Sequence, residues 1–308
     1  MNIYRDLATI PDFRNAVVTI GSYDGVHSGH QAILKQVNQL AKNIGGESVL
    51  ITFHPHPRLA INPNDTSLKL ITTIDEKINL LEKYGVNHLV IAPFTKAFSQ
   101  QTPDEYIQNF LVDKIHPKKI VIGYDHRFGN RREGNIEYLR KFEQQFDYQV
   151  QEIQKQAVDD IVVSSTKVRK SILIGDIQTA TALLNHPFTV QGKVVCGKQL
   201  GNTIGFPTAN VAIENPHKII PADGVYAARI FYEKKAYTSM LYIGCSLDNQ
   251  YKTLEVNIFD FDENIYDKYL TIEFLTRVRD DMRFDGVEAL KLQLAEDKKD
   301  VLKIFNQT

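Results

Sequence analysis

The chain has no tryptophan and only two cysteines, Cys196 and Cys245, among its 308 residues. Two thiols alone can neither frame a small secreted fold nor make a cysteine-based zinc module. An excess of one charge is also missing. Lysine and arginine total 36 against 37 acidic residues, a formal net charge of −1, so no global field draws nucleic acid or an anionic membrane surface. No apolar run approaches the length that spans a bilayer, and Met1 to Asp6 lack the apolar core of a signal peptide. The expectation is a cytoplasmic protein with no nucleic-acid, membrane or obligatory protein partner. What the chain does have is length, enough for two domains that each bury a core.

The most informative stretch runs from Ala16 to His30. Val17 to Ile20 is a short β-branched run that reads as a buried strand. Gly21 breaks it, and Asp24-Gly25 signals a turn. Ile33, Val37, Leu40, Ala41 and Ile44 then recur on one helical face, with Gly45-Gly46 as the stop. Ser28 and Gln31 have capping-box spacing, which predicts Ser28 as the cap, His27 just before it and His30 in the first turn. Backbone N–H groups and the positive end of the helix dipole gather there, a place suited to the phosphates of a nucleotide. With Gly21, Asp24, Gly25 and Gly29 around the two histidines, the stretch resembles the His-x-Gly-His signature of nucleotidylyltransferases. The extended form is that of bacterial bifunctional riboflavin kinase/FAD synthetases. The resemblance implies His27 and His30 as catalytic residues and Gly21, Asp24 and Gly25 as ATP-binding ones.

Ser48 to Phe53 reads as a second strand, ended by His54-Pro-His-Pro57, where the prolines fix an extended loop. On residue type this is equally a rigid turn; it also resembles a Phe-x-Pro-His-Pro element beside the nucleotide site of that family. Thr73 and Glu76 cap a helix running to Tyr84-Gly85, and His88 to Ala92 is the next strand. Thr102-Pro103-Asp104-Glu105 is a further helix start. Lys118 to Ile122 is a strand leading into Gly123 to Asn135. That segment is a solvated basic loop on composition, and it resembles the family's Gly-x-Asp-Phe-x-Phe-Gly pattern with His126 in place of Phe. His56 and Asp125 are thereby implied to contact FMN. Alternating strands and helices imply a doubly wound parallel sheet, whose ligands bind beyond the carboxyl ends of the strands. The loops after Ile20, Phe53 and Ile122 share that edge. Ser164, Ser165, Thr166 and Arg169 resemble the second nucleotide signature, in which hydroxyls and a cation hold ATP phosphates.

Beyond Asn185-His-Pro187 the pattern changes to strands in succession: Phe188 to Val195, Ala209 to Ile213, Val225 to Tyr232, Ala236 to Ile243, Thr253 to Phe261 and Tyr269 to Phe274. Such a run argues an antiparallel sandwich or barrel, closed by a helix from Gly286 to Leu294. The break divides the chain into residues 1–184 and 185–308. Gly201 to Asn210 contains Gly-Phe-Pro-Thr-Ala-Asn, which resembles riboflavin kinases. The resemblance implies a barrel in which Thr208 and Asn210 hold Mg²⁺ with ATP, Glu255 is the base, and Gly201, Gly205, Pro207, Arg279 and Phe284 contact ATP or flavin. Departures from the family pattern are Tyr23 and His126 for Phe, Asn202 for Arg, Asp267 for Gly, and Tyr242 to Asp248 in place of Asn-Ile-Gly-x-x-Pro-Thr. The activities implied are phosphorylation of riboflavin to FMN and adenylylation of FMN to FAD. Adenylyl transfer to another phosphate acceptor, or a barrel that binds flavin without turnover, are the alternatives.

Overall fold

The computed structural model describes residues 1–123, 126–153, 163–197, 200–245 and 252–306, the side chains of Leu200 and Asn202 excepted. The chain forms two compact units, one of residues 1–68 and 73–164, the other of residues 69–72 and 165–308.

The first unit is built on a six-stranded sheet in the order β1-β4-β3-β2-β5-β6. Its strands are β1 (Asn2–Tyr4), β2 (Ala16–Ile20), β3 (Ser48–His54), β4 (His88–Pro93), β5 (Pro117–Gly123) and β6 (Gln149–Ile153). Every neighbouring pair is parallel, as the alternation of strands and helices requires. Both faces of the central strands are covered, so these strands read as continuous apolar runs. Val18, Ile20, Val49 and Ile51 join one core cluster, whereas Leu50 and Leu89 join another. Chain order reverses at β2, whose neighbours are β3 on one side and β5 on the other. The loops after β2 and β5 therefore flank the switch point at which such sheets bind ligands.

The helix after β2, α1 (Ser28–Asn43), buries Leu34, Val37 and Ala41 on one face. Its cap is His27, one residue ahead of the Ser28 expected, and the His27 ring accepts from the His30 amide. A short helix, α2 (Pro57–Ile61), follows β3 with His56 as its cap, so the expected extended loop turns helical at Pro57, which suits a first helical position. Helix α3 (Ile74–Lys83) starts with the complete Thr73–Glu76 capping box. A helical stretch from Pro103 to Ile115 carries the second box, Thr102–Glu105, and is π-helical from Tyr106 to Val112.

The second unit is a closed antiparallel barrel in the order β10-β11-β8-β7-β12-β9. Its strands are β7 (Thr189–Val195), β8 (Ala209–Ala212), β9 (Gly224–Tyr232), β10 (Lys235–Cys245), β11 (Lys252–Ile258) and β12 (Tyr269–Asp280). A C-terminal helix, Val287–Asn306, buries Asp297 and Val301. The helices Ser165–Leu173 and Ile177–Leu184 also belong to this unit. Their buried residues, Val168, Ile172, Ile177, Ala180 and Leu184, explain why the compact division falls ahead of the Asn185-His-Pro187 break. Residues 69–72 belong here too. Leu70 bridges Lys218, whose buried ammonium donates to the carbonyls of Ile71 and Thr189, each at 2.7 Å.

Candidate active sites

In the first unit the loop after β2 is wound tightly. Tyr23, Gly25 and Val26 all have left-handed backbone, with φ of 46°, 79° and 40°. For Tyr and Val that conformation is strained and must be held by its surroundings. Three contacts hold it. Tyr23 is buried with its hydroxyl 2.7 Å from Thr19 Oγ1, and Gln31 Nε2 donates to the Val26 carbonyl at 2.8 Å. Lys77 Nζ reaches in from α3 and donates to the Ser22 carbonyl at 2.6 Å. The turn presents a buried Asp24 and then the two histidines.

His27 and His30 stack with ring centroids 3.7 Å apart and 14° between planes. The Nδ1 of His30 is buried and makes no hydrogen bond among the described residues. Burial, then the neighbouring His27 and Lys77 charges, hold its pKa well below the usual imidazole range, so the ring is neutral at physiological pH. A neutral imidazole keeps one N–H to donate and adds no charge that a buried site would have to solvate. Lys77 is itself pulled down to about 8 by burial, with Asp24 acting in the opposite direction. Nothing in the sequence marked Lys77. Its signal, a lysine directly after the capping box where the dipole disfavours a cation, is visible only in retrospect.

His56 caps α2 just beyond β3, and its Nδ1 accepts from the Arg58 amide at 3.2 Å. Within residues 126–135, Phe128 and Gly134 exchange backbone hydrogen bonds of 3.1 and 2.9 Å, closing a hairpin-like loop. Phe128 stacks on Tyr106, and Phe53, Phe98 and Phe110 pack edge-on or tilted nearby, an aromatic floor that the sequence reading missed. Asp125 lies outside the described residues. Ser164 closes the first unit, whereas Ser165, Thr166 and Arg169 start the helix that belongs to the second. Arg169 Nε donates to the Lys69 carbonyl at 2.7 Å.

The barrel contains a cavity of about 270 Å³ lined by Gly201, Thr208, Glu255, Arg279 and Phe284 together with Tyr242 and Asp281. The first five come from three separate stretches singled out in the sequence. A Cβ at Gly201 would collide with the Phe206 carbonyl, so only glycine allows that turn to close. Gly205 supplies left-handed backbone with φ of 85°, and the Pro207 carbonyl accepts from Asn257 Nδ2 at 2.6 Å. Both shape the wall without lining it. Asn210 pairs with Glu255 across β8 and β11, yet its side chain packs against Gly197 and is not among the described lining residues.

Two polar contacts at the cavity have no counterpart in the sequence reading. Tyr242 Oη donates to Asp281 Oδ1 at 3.0 Å, and its phenol is pushed up to about 12 by burial, that bond and nearby acidic groups including Glu255. Arg279 faces Asp297 of the C-terminal helix, with Nε and Nη2 donating at 2.9 and 2.7 Å. Its guanidinium is thus held by a carboxylate of the chain, while Arg279 also lines the cavity.

The FAD synthetase family model matches residues 9–167 and the riboflavin kinase family model residues 184–305. A bifunctional riboflavin kinase/FMN adenylyltransferase from Listeria monocytogenes is 34% identical over 294 residues, covering 94% of this chain and 93% of that one. The chain belongs to the bifunctional riboflavin kinase/FMN adenylyltransferase family. The Escherichia coli member is 30% identical, over 95% of this chain and 93% of its own. A solved structure from Streptococcus pneumoniae, named there as a macrolide-efflux protein, is 31% identical with TM-score 0.85 over 96% of this chain and 97% of that one. Among the described residues no helix is long and apolar enough to cross a membrane. For a riboflavin kinase/FMN adenylyltransferase, the departures at Tyr23 and Tyr242 are both accommodated, Tyr23 through Thr19 and Tyr242 through Asp281. The side chain of Asn202 and residues 246–248 lie outside the described residues.

Proposed function

We propose that residues 1–184 carry FMN adenylyl transfer and residues 185–308 carry riboflavin phosphorylation. The enzyme phosphorylates riboflavin with ATP to give FMN, then adenylylates FMN with a second ATP to give FAD and pyrophosphate. In the first reaction Glu255 takes the proton of the ribityl hydroxyl as that oxygen attacks the γ-phosphorus of ATP. Thr208 and Asn210 offer hard oxygen donors, and with Glu255 opposite Asn210 in the β8–β11 register the set suits Mg²⁺. Bound there with ATP, Mg²⁺ would neutralise charge building on the transferring phosphoryl group. Gly201, Gly205 and Pro207 shape the wall for ATP and flavin, and Phe284 offers the flavin an apolar face.

In the second reaction the FMN phosphate is already a nucleophile, so no protein nucleophile is needed. Neutral His30, with His27 stacked on it, donates to charge developing on the α-phosphate. Gly21, Asp24 and Gly25 shape the nucleotide turn, and Ser164, Ser165, Thr166 and Arg169 form the pyrophosphate clamp. His56 and Asp125 face FMN. ATP, riboflavin and FMN are the small-molecule partners, and a cytoplasmic enzyme fits their supply.

The observation that carries the kinase half is the convergence of Gly201, Thr208, Glu255 and Phe284 on one cavity. The test incubates the protein with riboflavin and MgATP and separates the flavins by chromatography. Wild type yields FMN and then FAD. Glu255→Gln binds riboflavin, makes no FMN, and still converts supplied FMN to FAD, because the amide keeps the shape and loses the base. Wild type that binds riboflavin yet makes no FMN would overturn the kinase assignment.

A further inference from the structure

Lys77 places an ammonium in the interior of the first unit. It is buried, with 7% of its surface exposed, and no carboxylate lies within ion-pair distance among the described residues. Its place directly after the Thr73–Glu76 capping box sets a cation at the positive end of α3. A leucine or methionine would satisfy the packing at less expense. What the ammonium does is specific. It donates to the Ser22 carbonyl at 2.6 Å and to Thr52 Oγ1 at 3.4 Å, while Thr52 Oγ1 itself donates to Ser22 at 3.2 Å. Ser22 opens the left-handed turn that carries Asp24 and leads to His27 and His30. The titratable groups facing Lys77 are Asp24 from that turn, His30 from α1 and His54 from the end of β3.

We propose that Lys77 is a positioning residue for adenylyl transfer, holding the Ser22–Val26 turn in its binding form and contributing a buried positive charge that the nucleotide phosphates complete. The inference rests on the adenylyl-transfer reading of the first unit. One net negative neighbour, Asp24, does not form an ion pair with Lys77, and both histidines that feel its charge are neutral or easily made so. An anion arriving at this turn supplies what the buried ammonium lacks. The arrangement works only while Lys77 is protonated. Its folded pKa of about 8 lies below the ordinary lysine value, so the charged state predominates at neutral pH and is lost as pH rises through about 8. Activity therefore falls on the alkaline side, where an ordinary exposed lysine would leave it flat.

The test measures kcat/KM for FAD formation from FMN and ATP between pH 6.5 and roughly pH 9.5, since this parameter reports ionisations of the free enzyme. Wild type shows an alkaline limb near pH 8. Lys77→Gln keeps an N–H for Ser22 without charge; its plateau falls by about tenfold to a hundredfold and the limb disappears. Lys77→Arg holds its charge across the range, so it retains more activity than Lys77→Gln and also loses the limb. Riboflavin phosphorylation by the same preparations stays at wild-type rate, which reports the second unit alone; a circular-dichroism spectrum and melting curve like those of wild type report that the first unit is folded. A Lys77→Gln enzyme with full activity, or one that keeps the limb, overturns the proposal. So does a wild-type profile flat to pH 9.5, a measurement that needs no variant. Wild type that makes no FAD from FMN at any pH would instead remove the adenylyl-transfer reading itself.

Discussion

His30 is where residue chemistry and fold meet most closely. Its ring is pinned between Tyr23, 4.7 Å away by ring centroid, and His27 at 3.7 Å. Its buried Nδ1 has no partner among the described residues. Such an atom is a cost in the free protein that a bound phosphate or its water can remove. Replacing His30 with Ala is expected to slow FAD formation by a factor of hundreds, corresponding to about 3–4 kcal/mol for a lost donor to developing charge. FMN formation from riboflavin, measured on the same sample, stays unchanged. An unaltered FAD rate in the folded variant removes His30 from the mechanism. At this scale the sequence was legible where chemistry sits in short spacings: His27 with His30, Thr208 beside Gly205 and Pro207. It was silent on Lys77, Tyr242 with Asp281, and Arg279 with Asp297, because those partners lie far apart in the chain and share no period.

Among elements, most strands and helix starts follow from the pattern, and the exceptions have physical reasons. The strands missed, β1 and β6, lie at the two edges of the sheet, where only partial burial is needed and Gln149, Gln151 and Glu152 can be tolerated. The C-terminal helix runs to Asn306 rather than stopping near Leu294. Its second half contains Asp297, Lys298, Lys299 and Asp300, which read as solvent-facing. Asp297 is nonetheless buried, because it receives Arg279 and also Gln293 Nε2 at 2.9 Å. That ion pair ties the helix to β12 beside the cavity that also touches Leu290 and Leu294. Asp297→Ala leaves a half-buried guanidinium unpaired, a cost of about 3 kcal/mol when a buried pair is broken. The expected result is a lower melting temperature and a raised KM for riboflavin, with FAD formation from FMN unaffected. A variant that melts and phosphorylates like wild type would show the pair to be dispensable.

At the level of the whole molecule, the change from alternating elements to consecutive strands announced two folds, and two folds are present. What periodicity could not reveal is which unit each connecting piece joins. Residues 165–184 are amphipathic helices that would serve either neighbour, and residues 69–72 are too short to carry a pattern. Both belong with the barrel. Expressing Met1–Leu184 alone is expected to give a fragment that converts FMN to FAD, because the turn, the histidines and the proposed clamp are all retained. It should melt below the intact chain, since residues 69–72 lose Lys218 and the helices lose β12. A fragment with no FAD activity would mean that the clamp depends on the barrel for its position.

The excursion of residues 69–72 has one more outcome. The backbone passes from one unit to the other at Leu68–Lys69, returns at Thr72–Thr73, and crosses again at Ser164–Ser165. A protease that cleaves only the last of these crossings leaves two polypeptides on a denaturing gel and one particle in a native separation. The N-terminal piece keeps a stitch of its own chain hydrogen-bonded to Lys218 and Ile219 of the other. Release of either piece requires that stitch to be unpicked first.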